Sequence, residues 1–158
     1  LEGMNLVKVL PFDQPLTFGG WRVTAHLLAE AYVYVFLFEE GDGGRRVLIA
    51  MDELHGWTPP AELCDLDLLY LPAGIFVFNP LTGERIVPVG HPVLEHEATY
   101  EETLEMVERL NARRVVFGHL EEPFGLSPDD YEQIAGDLRA QRGWDVTFAH
   151  DTLVVQLP

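Results

Sequence analysis

The sequence predicts an α/β fold, and three observations support that prediction. Two segments share one design, with two arginines, an apolar run and then polar side chains: RRVLIAMDEL at 45–54 and RRVVFGHLEE at 113–122. A β-branched and aromatic run at 32–39 precedes the first segment across a glycine-rich turn. An amphipathic helical pattern at 99–110 precedes the second. Apolar runs without polar alternation are typical of inner strands in sheets that helices cover.

The chain is expected to form a single domain over residues 1–158. Its length, with 47% hydrophobic residues, suffices for one core and leaves no room for two sizeable ones. The 10 Lys and Arg stand against 26 Asp and Glu, which gives a formal net charge of -16 at pH 7. A surface of that charge repels phosphate backbones. We therefore expect a small-molecule substrate and no nucleic acid partner.

Cysteine content and hydropathy indicate the compartment. Cys64 is the single cysteine, so an internal disulfide is impossible, which fits a reducing environment. No charged-then-apolar signal segment opens the sequence, and no apolar run approaches the roughly 20 residues of a membrane span. These features predict a cytoplasmic protein that does not contact a membrane.

The first half of the chain reads as strands. Residues 6–20 contain prolines and a glycine pair, which predicts extended chain with one edge strand. Strands are predicted at 21–29 and 32–39 from their β-branched and aromatic content. The turn at 41–44 then leads into a strand at 45–51, so the second and third of these runs form an antiparallel hairpin.

The second half alternates helices and strands. Thr99 and Glu102 form a capping box at the start of a helix over 99–110, and Ser127 with Pro128 begins another that runs to about residue 141. The other predicted elements are a helical turn at 61–64, strands at 67–71, 113–118, 144–149 and 152–156, and a long excursion with a small hairpin at 72–95.

Two polar residues at strand ends are candidates for chemistry. Asp52 follows the first apolar segment and His119 follows the second. Ligands of open α/β sheets bind beyond the carboxyl ends of the strands, so this pair could form a zinc or hard-metal half-site. The alternative is that each residue merely caps a loop. No two histidines show HxH or HExxH spacing, so any metal site must be assembled from distant strand ends.

Three segments carry a resemblance to a known family: VLIAMDELHGW at 47–57, EATYEETLEMVERLNARRVVFGHLEE at 97–122 and WDVTFAHDTLVVQ at 144–156. From about Trp21 to its end, the chain resembles the C-terminal half of a metallo-β-lactamase-superfamily hydrolase and is similar to the cyclic phosphodiesterase branch. The resemblance implies one half of an αβ/βα sandwich, a mixed sheet with helices on one side.

The resemblance also implies roles for individual residues. Asp52 matches the family's metal-bridging aspartate, and His119 matches its last metal-binding histidine. The family's middle histidine corresponds to Glu30 in a gapless match, or to His26 four residues earlier. His96 lies beside the position of a histidine near the active site, which implies a proton donor. The implied cofactors are two divalent ions, with zinc as first candidate and manganese or iron as alternatives.

One departure from the family pattern is an absence. Family members place an HxHxDH motif in their N-terminal half, and the sequence contains nothing like it. The chain is then a fragment of a longer hydrolase, the partner of a separate chain, or a degenerate domain. Strands without polar alternation leave an apolar sheet face, so we expect a homodimer or a missing N-terminal half to cover it.

Two functions follow from these alternatives. The first is a metal-dependent hydrolase of a small ester or phosphodiester, incomplete in this chain. The second is an inactive scaffold or interaction domain of the same fold. A doubly wound nucleotide-binding domain is disfavoured because no glycine-rich loop leads from a strand into a helix.

Overall fold

The computed structural model describes residues 14–28, 33–121 and 124–157. Within these ranges a single mixed sheet follows the chain order from β1 to β7. Its strands are β1 (Leu16–Phe18), β2 (Trp21–Leu27), β3 (Tyr34–Glu40), β4 (Arg46–Ala50), β5 (Leu68–Pro72), β6 (Arg114–Gly118) and β7 (Asp145–Phe148). The two described helices are α1 (Tyr100–Leu110) and α2 (Pro128–Arg142), and 3₁₀ turns lie at Gly41–Gly43, Ala61–Leu63 and Pro92–Glu95.

The sheet changes from antiparallel to parallel at β4. Strands β1 to β4 pair antiparallel, which confirms the predicted hairpin between β3 and β4, and β4 to β7 pair parallel. Helix α1 connects β5 to β6, and α2 connects β6 to β7. Parallel crossovers are right-handed, so both helices return over the same face. The predicted mixed sheet with helices on one side is confirmed.

Local signals in the sequence fix both helices. Thr99 and Ser127 accept the amide hydrogens of Glu102 and Asp130, and those two side chains return the bonds in complete capping boxes. Such a cap contributes about 1 kcal/mol. Helix α2 ends at Gly143 in the left-handed region. Neither described helix is long and apolar enough to cross a membrane.

The core lies between the helices and one face of the sheet. A row of buried residues crosses five strands in register: Leu37, Leu48, Leu69, Val115 and Val146. These side chains belong to one cluster with buried residues of α1 and α2. Each fully buried leucine or valine contributes about 1.5–3 kcal/mol. We call this surface the helix face.

The other face is apolar and, in the described residues, has no helix over it. We call it the open face, and its members are Leu16, Phe18, Trp21, Val23, Phe36, Phe38, Val47 and Ile49. Phe18 is 76% exposed and Phe36 is 38% exposed. Together with Leu157, several of these side chains line an apolar hollow of about 240 Å³. An uncovered apolar face of this kind marks a surface for association.

The predicted strand at 152–156 is wrong. Residues 153–157 alternate between half-buried and exposed, as an extended segment does, but they form no ladder with a described strand. The segment contacts the sheet through Gln156, whose carbonyl accepts a hydrogen bond from Arg114, and through Leu157 at the hollow. β-Propensity favours extended backbone, whereas a strand also needs a neighbouring strand with which it is aligned for hydrogen bonding.

The predicted excursion after β5 is confirmed and reaches the start of α1. Phe78 and Arg85 form an antiparallel bridge within it, which gives the expected small hairpin. Gly74 begins the excursion with φ +78°, and Ile75 pairs parallel with Thr99. Residues 73–75 are therefore held against the segment that precedes α1.

Candidate active site

Asp52 and His119 lie at one rim of the sheet. The parallel strands β4 and β6 point the same way, so the chain leaves both at the same rim. The Nδ1 atom of His119 is 4.0 Å from Oδ1 of Asp52, with the two side chains 44% and 67% exposed. Strand-end reasoning therefore identified two residues that meet across β5. Their roles as metal ligands stay predictions.

The backbone of His119 is strained. Its φ is +51°, in the left-handed region that residues other than glycine rarely adopt. That conformation costs about 1–2 kcal/mol and, where the fold maintains it, is often found at functional sites. Before it, Gly118 packs under Tyr70 so closely that an added Cβ would overlap the tyrosine ring. The contact of Gly118 with Tyr70 therefore fixes the point at which the backbone leaves β6 and turns into His119.

Three glutamates complete the rim. Oε1 of Glu53 accepts the amide hydrogen of Ala98 at 2.9 Å and also that of His55. Glu121 Oε1 lies 3.8 Å from Nε2 of His119. Glu53, Glu97 and Glu121 line a recess of about 20 Å³ beside His119. A volume of this size holds a water or an ion.

The pKa of Glu97 reflects the excess of carboxylates over positive charges at this rim. Its hydrogen bond with Glu53, then burial, then the charges of Glu53, Glu121 and Asp52 raise the pKa of Glu97 to about 8. A carboxyl group ionises less readily when it is buried among other carboxylates. A site of this composition favours a bound cation.

Asp52 and His119 are two possible metal donors that the rim brings together. Among the described residues, no group of three or more His, Cys, Asp or Glu side chains is arranged to hold a metal ion. A tetrahedral zinc ion would hold a nitrogen and an oxygen ligand about 3.4 Å apart. The Asp52–His119 separation of 4.0 Å fits after a small adjustment. Two donors are present where a catalytic zinc takes three.

The structure does not bring two of the other predicted site residues, His26 and His96, into this cluster. His26 on β2 pairs with Val35 on β3. Because β2 lies two strands from β4, it is about 10 Å from the strand that Asp52 follows. The Nε2 atom of His26 is buried without a partner among the described residues. Glu30 lies outside the described residues. His96 is exposed at the end of a 3₁₀ turn, and its neighbour Glu97 lines the recess instead. Their proposed roles stay predictions.

Comparison with known proteins supports the fold. No protein-family model matches the sequence, and no curated protein matches it. Among solved structures, human tRNase Z, short form (ELAC1), is 18% identical with a TM-score of 0.58, over 90% of this chain and 46% of that one. A diphosphatase from the PhnP family is 19% identical with a TM-score of 0.55, over 92% and 47%.

A third solved structure belongs to a protein whose fold is named. The metallo-β-lactamase fold protein YhfI from Bacillus subtilis is 14% identical with a TM-score of 0.56, over 91% of this chain and 53% of that one. The chain has part of the metallo-β-lactamase fold. The resemblance drawn from the three sequence segments is thereby confirmed at the level of the fold.

The comparisons also limit what the metallo-β-lactamase fold implies here. The chain spans about half of the length of the solved structures it matches. One of those proteins is named a tRNase. The fold therefore does not exclude nucleic acid, which weakens the exclusion based on the net charge of -16.

Proposed function

We propose that the chain carries part of a metal-dependent hydrolase site that acts on a small ester or phosphodiester. The observation that supports it most is the 4.0 Å approach of Asp52 and His119 at a carboxylate-rich rim. A divalent cation bound there would supply a Lewis acid and a means of activating water at neutral pH. The names of the matched diphosphatase and tRNase agree with hydrolysis.

The residues of the chain have distinct tasks in this proposal. Asp52 would serve as the bridging carboxylate between two cations, and His119 would bind one of them. Glu53 holds the loop that carries Asp52, because its carboxylate accepts the amide hydrogen of Ala98 before α1. Zinc suits the imidazole, whereas the neighbouring carboxylates Glu97 and Glu121 also suit manganese. Cys64 is a free thiol, which agrees with a proposed location in the reducing cytoplasm.

The site is proposed to be completed by another half of the fold. The matched structures are about twice as long as the chain, and the open face is apolar. A second sheet on that face would cover Phe18 and Phe36 and bring further ligands toward the rim. That sheet belongs to a missing N-terminal half or, in its absence, to a second copy of the chain.

Metal binding tests the proposed site. Titration of Mn²⁺ and Zn²⁺ into the 158-residue chain by calorimetry should give a dissociation constant that rises at least about tenfold in Asp52→Asn and in His119→Ala, since each removes one of two donors. Asp137→Asn, at an exposed position of α2, removes the same charge and should leave affinity unchanged. Equal affinities in all four proteins would overturn the proposal and favour the scaffold function.

Sedimentation tests the open face. The chain should associate at micromolar concentration, because Phe18 and Phe36 expose apolar surface on one face. Phe36→Asp should shift the population toward monomer, since a buried unpaired carboxylate would oppose association. Phe78→Asp introduces the same charge at an exposed phenylalanine outside the sheet and should have no such effect. A compact wild-type monomer would contradict the prediction.

A further inference from the structure

A third cavity, much larger than the hollow of the open face and the recess at the rim, runs along the outer edge of the sheet. It lies between β7 and α2 and has a volume of about 1040 Å³. We call it the edge groove, and its walls include Leu120, Tyr131, Ala135, Gly136, Phe148 and His150. Ligand pockets commonly have volumes of about 300–1,000 Å³. The edge groove is therefore large enough for a small molecule.

The edge groove opens at the rim that carries the candidate site. His119 lines the recess, and the next residue, Leu120, lines the edge groove. The Cα atoms of such neighbours are about 3.8 Å apart. His150, which follows β7 at the same rim, also lines the groove. A ligand whose reacting group sat near His119 would thus have its remaining part directed along β7.

The walls of the edge groove suit a planar ring. The rings of Tyr131 and Phe148 lie with centroids 4.9 Å apart at an interplanar angle of 36°, and Phe148 is followed inward by Phe117 at 5.3 Å. Aromatic side chains bind other aromatic rings through offset or edge contacts, at about 0.5–1.5 kcal/mol beyond area burial. A flat aromatic group could extend this series into the groove.

Gly136 lies in the wall of the edge groove. It lies inside α2, where glycine costs about 1 kcal/mol relative to alanine. Its φ is not in the left-handed region, and an added Cβ would meet nothing within 4 Å among the described residues. Neither the backbone nor close packing requires glycine there. Glycine at this position leaves open space beside its Cα in the wall of the edge groove.

We propose that the edge groove binds the planar aromatic part of the substrate while its phosphate or ester group lies at the Asp52–His119 rim. This inference rests on the proposed hydrolase function and narrows its substrate class to compounds with an aromatic ring beside the scissile group. The ring could be a simple aryl group or a nucleobase, since both present a flat apolar face.

NMR titration of the ¹⁵N-labelled chain in the presence of Zn²⁺ tests the inference, because the carboxylates of the rim would repel a phosphate without a bound cation. Phenyl phosphate and adenosine 5′-monophosphate serve as ring-bearing probes, and methyl phosphate is the matched probe without a ring. Phenyl phosphate should shift the amide signals of Gly136 and Phe148 and bind at least tenfold more tightly than methyl phosphate. Tighter binding of the adenosine probe would identify the ring as a nucleobase, and tighter binding of phenyl phosphate as an aryl group.

Two variants separate the groove from the rim. Gly136→Trp should fill the edge groove and weaken phenyl phosphate at least tenfold, whereas Gly136→Ala adds one methyl group and should bind as the wild type does. Tyr131→Leu removes the stacking ring without filling space and should weaken binding severalfold. Equal binding of phenyl and methyl phosphate, or wild-type binding by Gly136→Trp, would overturn the inference. Metal binding that still depends on Asp52 would leave the proposed function standing.

Discussion

Replacing Gly74 with alanine is expected to lower the free energy of unfolding by roughly 3 kcal/mol, the sum of a left-handed backbone penalty and overpacking. Gly74 has φ +78°, and an added Cβ would lie 2.8 Å from the carbonyl oxygens of Ala98 and Thr99. It would also lie 2.8 Å from Oγ1 of buried Thr103. Two of these atoms are backbone, so the end of β5 and the segment before α1 would have to separate.

Chemical denaturation measures this effect, and Gly136→Ala is the matched control. Gly136 has no left-handed φ and open space beyond its Cα, so the same substitution should raise stability by about 0.5–1 kcal/mol through helix propensity. If the two variants change the free energy of unfolding in opposite directions, the surroundings of each glycine, and not the loss of a glycine as such, determine the effect. A Gly74→Ala protein as stable as the wild type would show that the recess can widen at no cost.

Raising the pH from about 4.5 to about 8 is expected to lower the free energy of unfolding through Glu97. The folded state keeps the carboxyl protonated through this range, whereas the unfolded chain releases the proton above its ordinary pKa of about 4.5. The stabilising contribution is therefore complete at low pH and lost as the pH rises toward 8. After a discount for partial exposure, we expect a loss of roughly 2 kcal/mol.

Denaturation at several pH values with a chelator present tests this effect. Glu97→Gln remains neutral at every pH and should flatten the slope between pH 4.5 and 8. The variant should then be more stable than the wild type at pH 8. Glu105→Gln removes the same charge at an exposed position of α1 and should preserve the slope. If the free energy of unfolding of Glu97→Gln depends on pH as that of the wild type does, Glu97 is not the cause of the pH dependence.

The sequence was most informative where structure is determined locally. The starts of both helices were predictable because each capping box lies within four consecutive residues, at Thr99 and at Ser127. The inner strands β4 and β6 were predictable from uninterrupted apolar runs. The segment at 152–156 has the same local preference for extended chain, but strand formation depends on a partner that local sequence does not reveal.

The residues of the candidate site also differ in how far the sequence could predict them. Asp52 and His119 were predictable because parallel strands end at the same rim. Glu97 was missed because it lies in the irregular segment before α1, whose path no periodicity describes, and because its contact with Glu53 joins residues that are 44 positions apart in the chain. Its position beside His96 offered a weak signal, since the resemblance already directed attention to that loop.

The order of the sheet has a consequence for how the chain folds. Every pair of adjacent described strands is also consecutive along the sequence. Pairings between near segments close short loops, and proteins rich in such contacts reach their native state faster than those that join distant segments. The antiparallel strands β1 to β4 can therefore pair by successive addition in chain order, and the parallel strands β5 to β7 join them once the longer connections through α1 and α2 close.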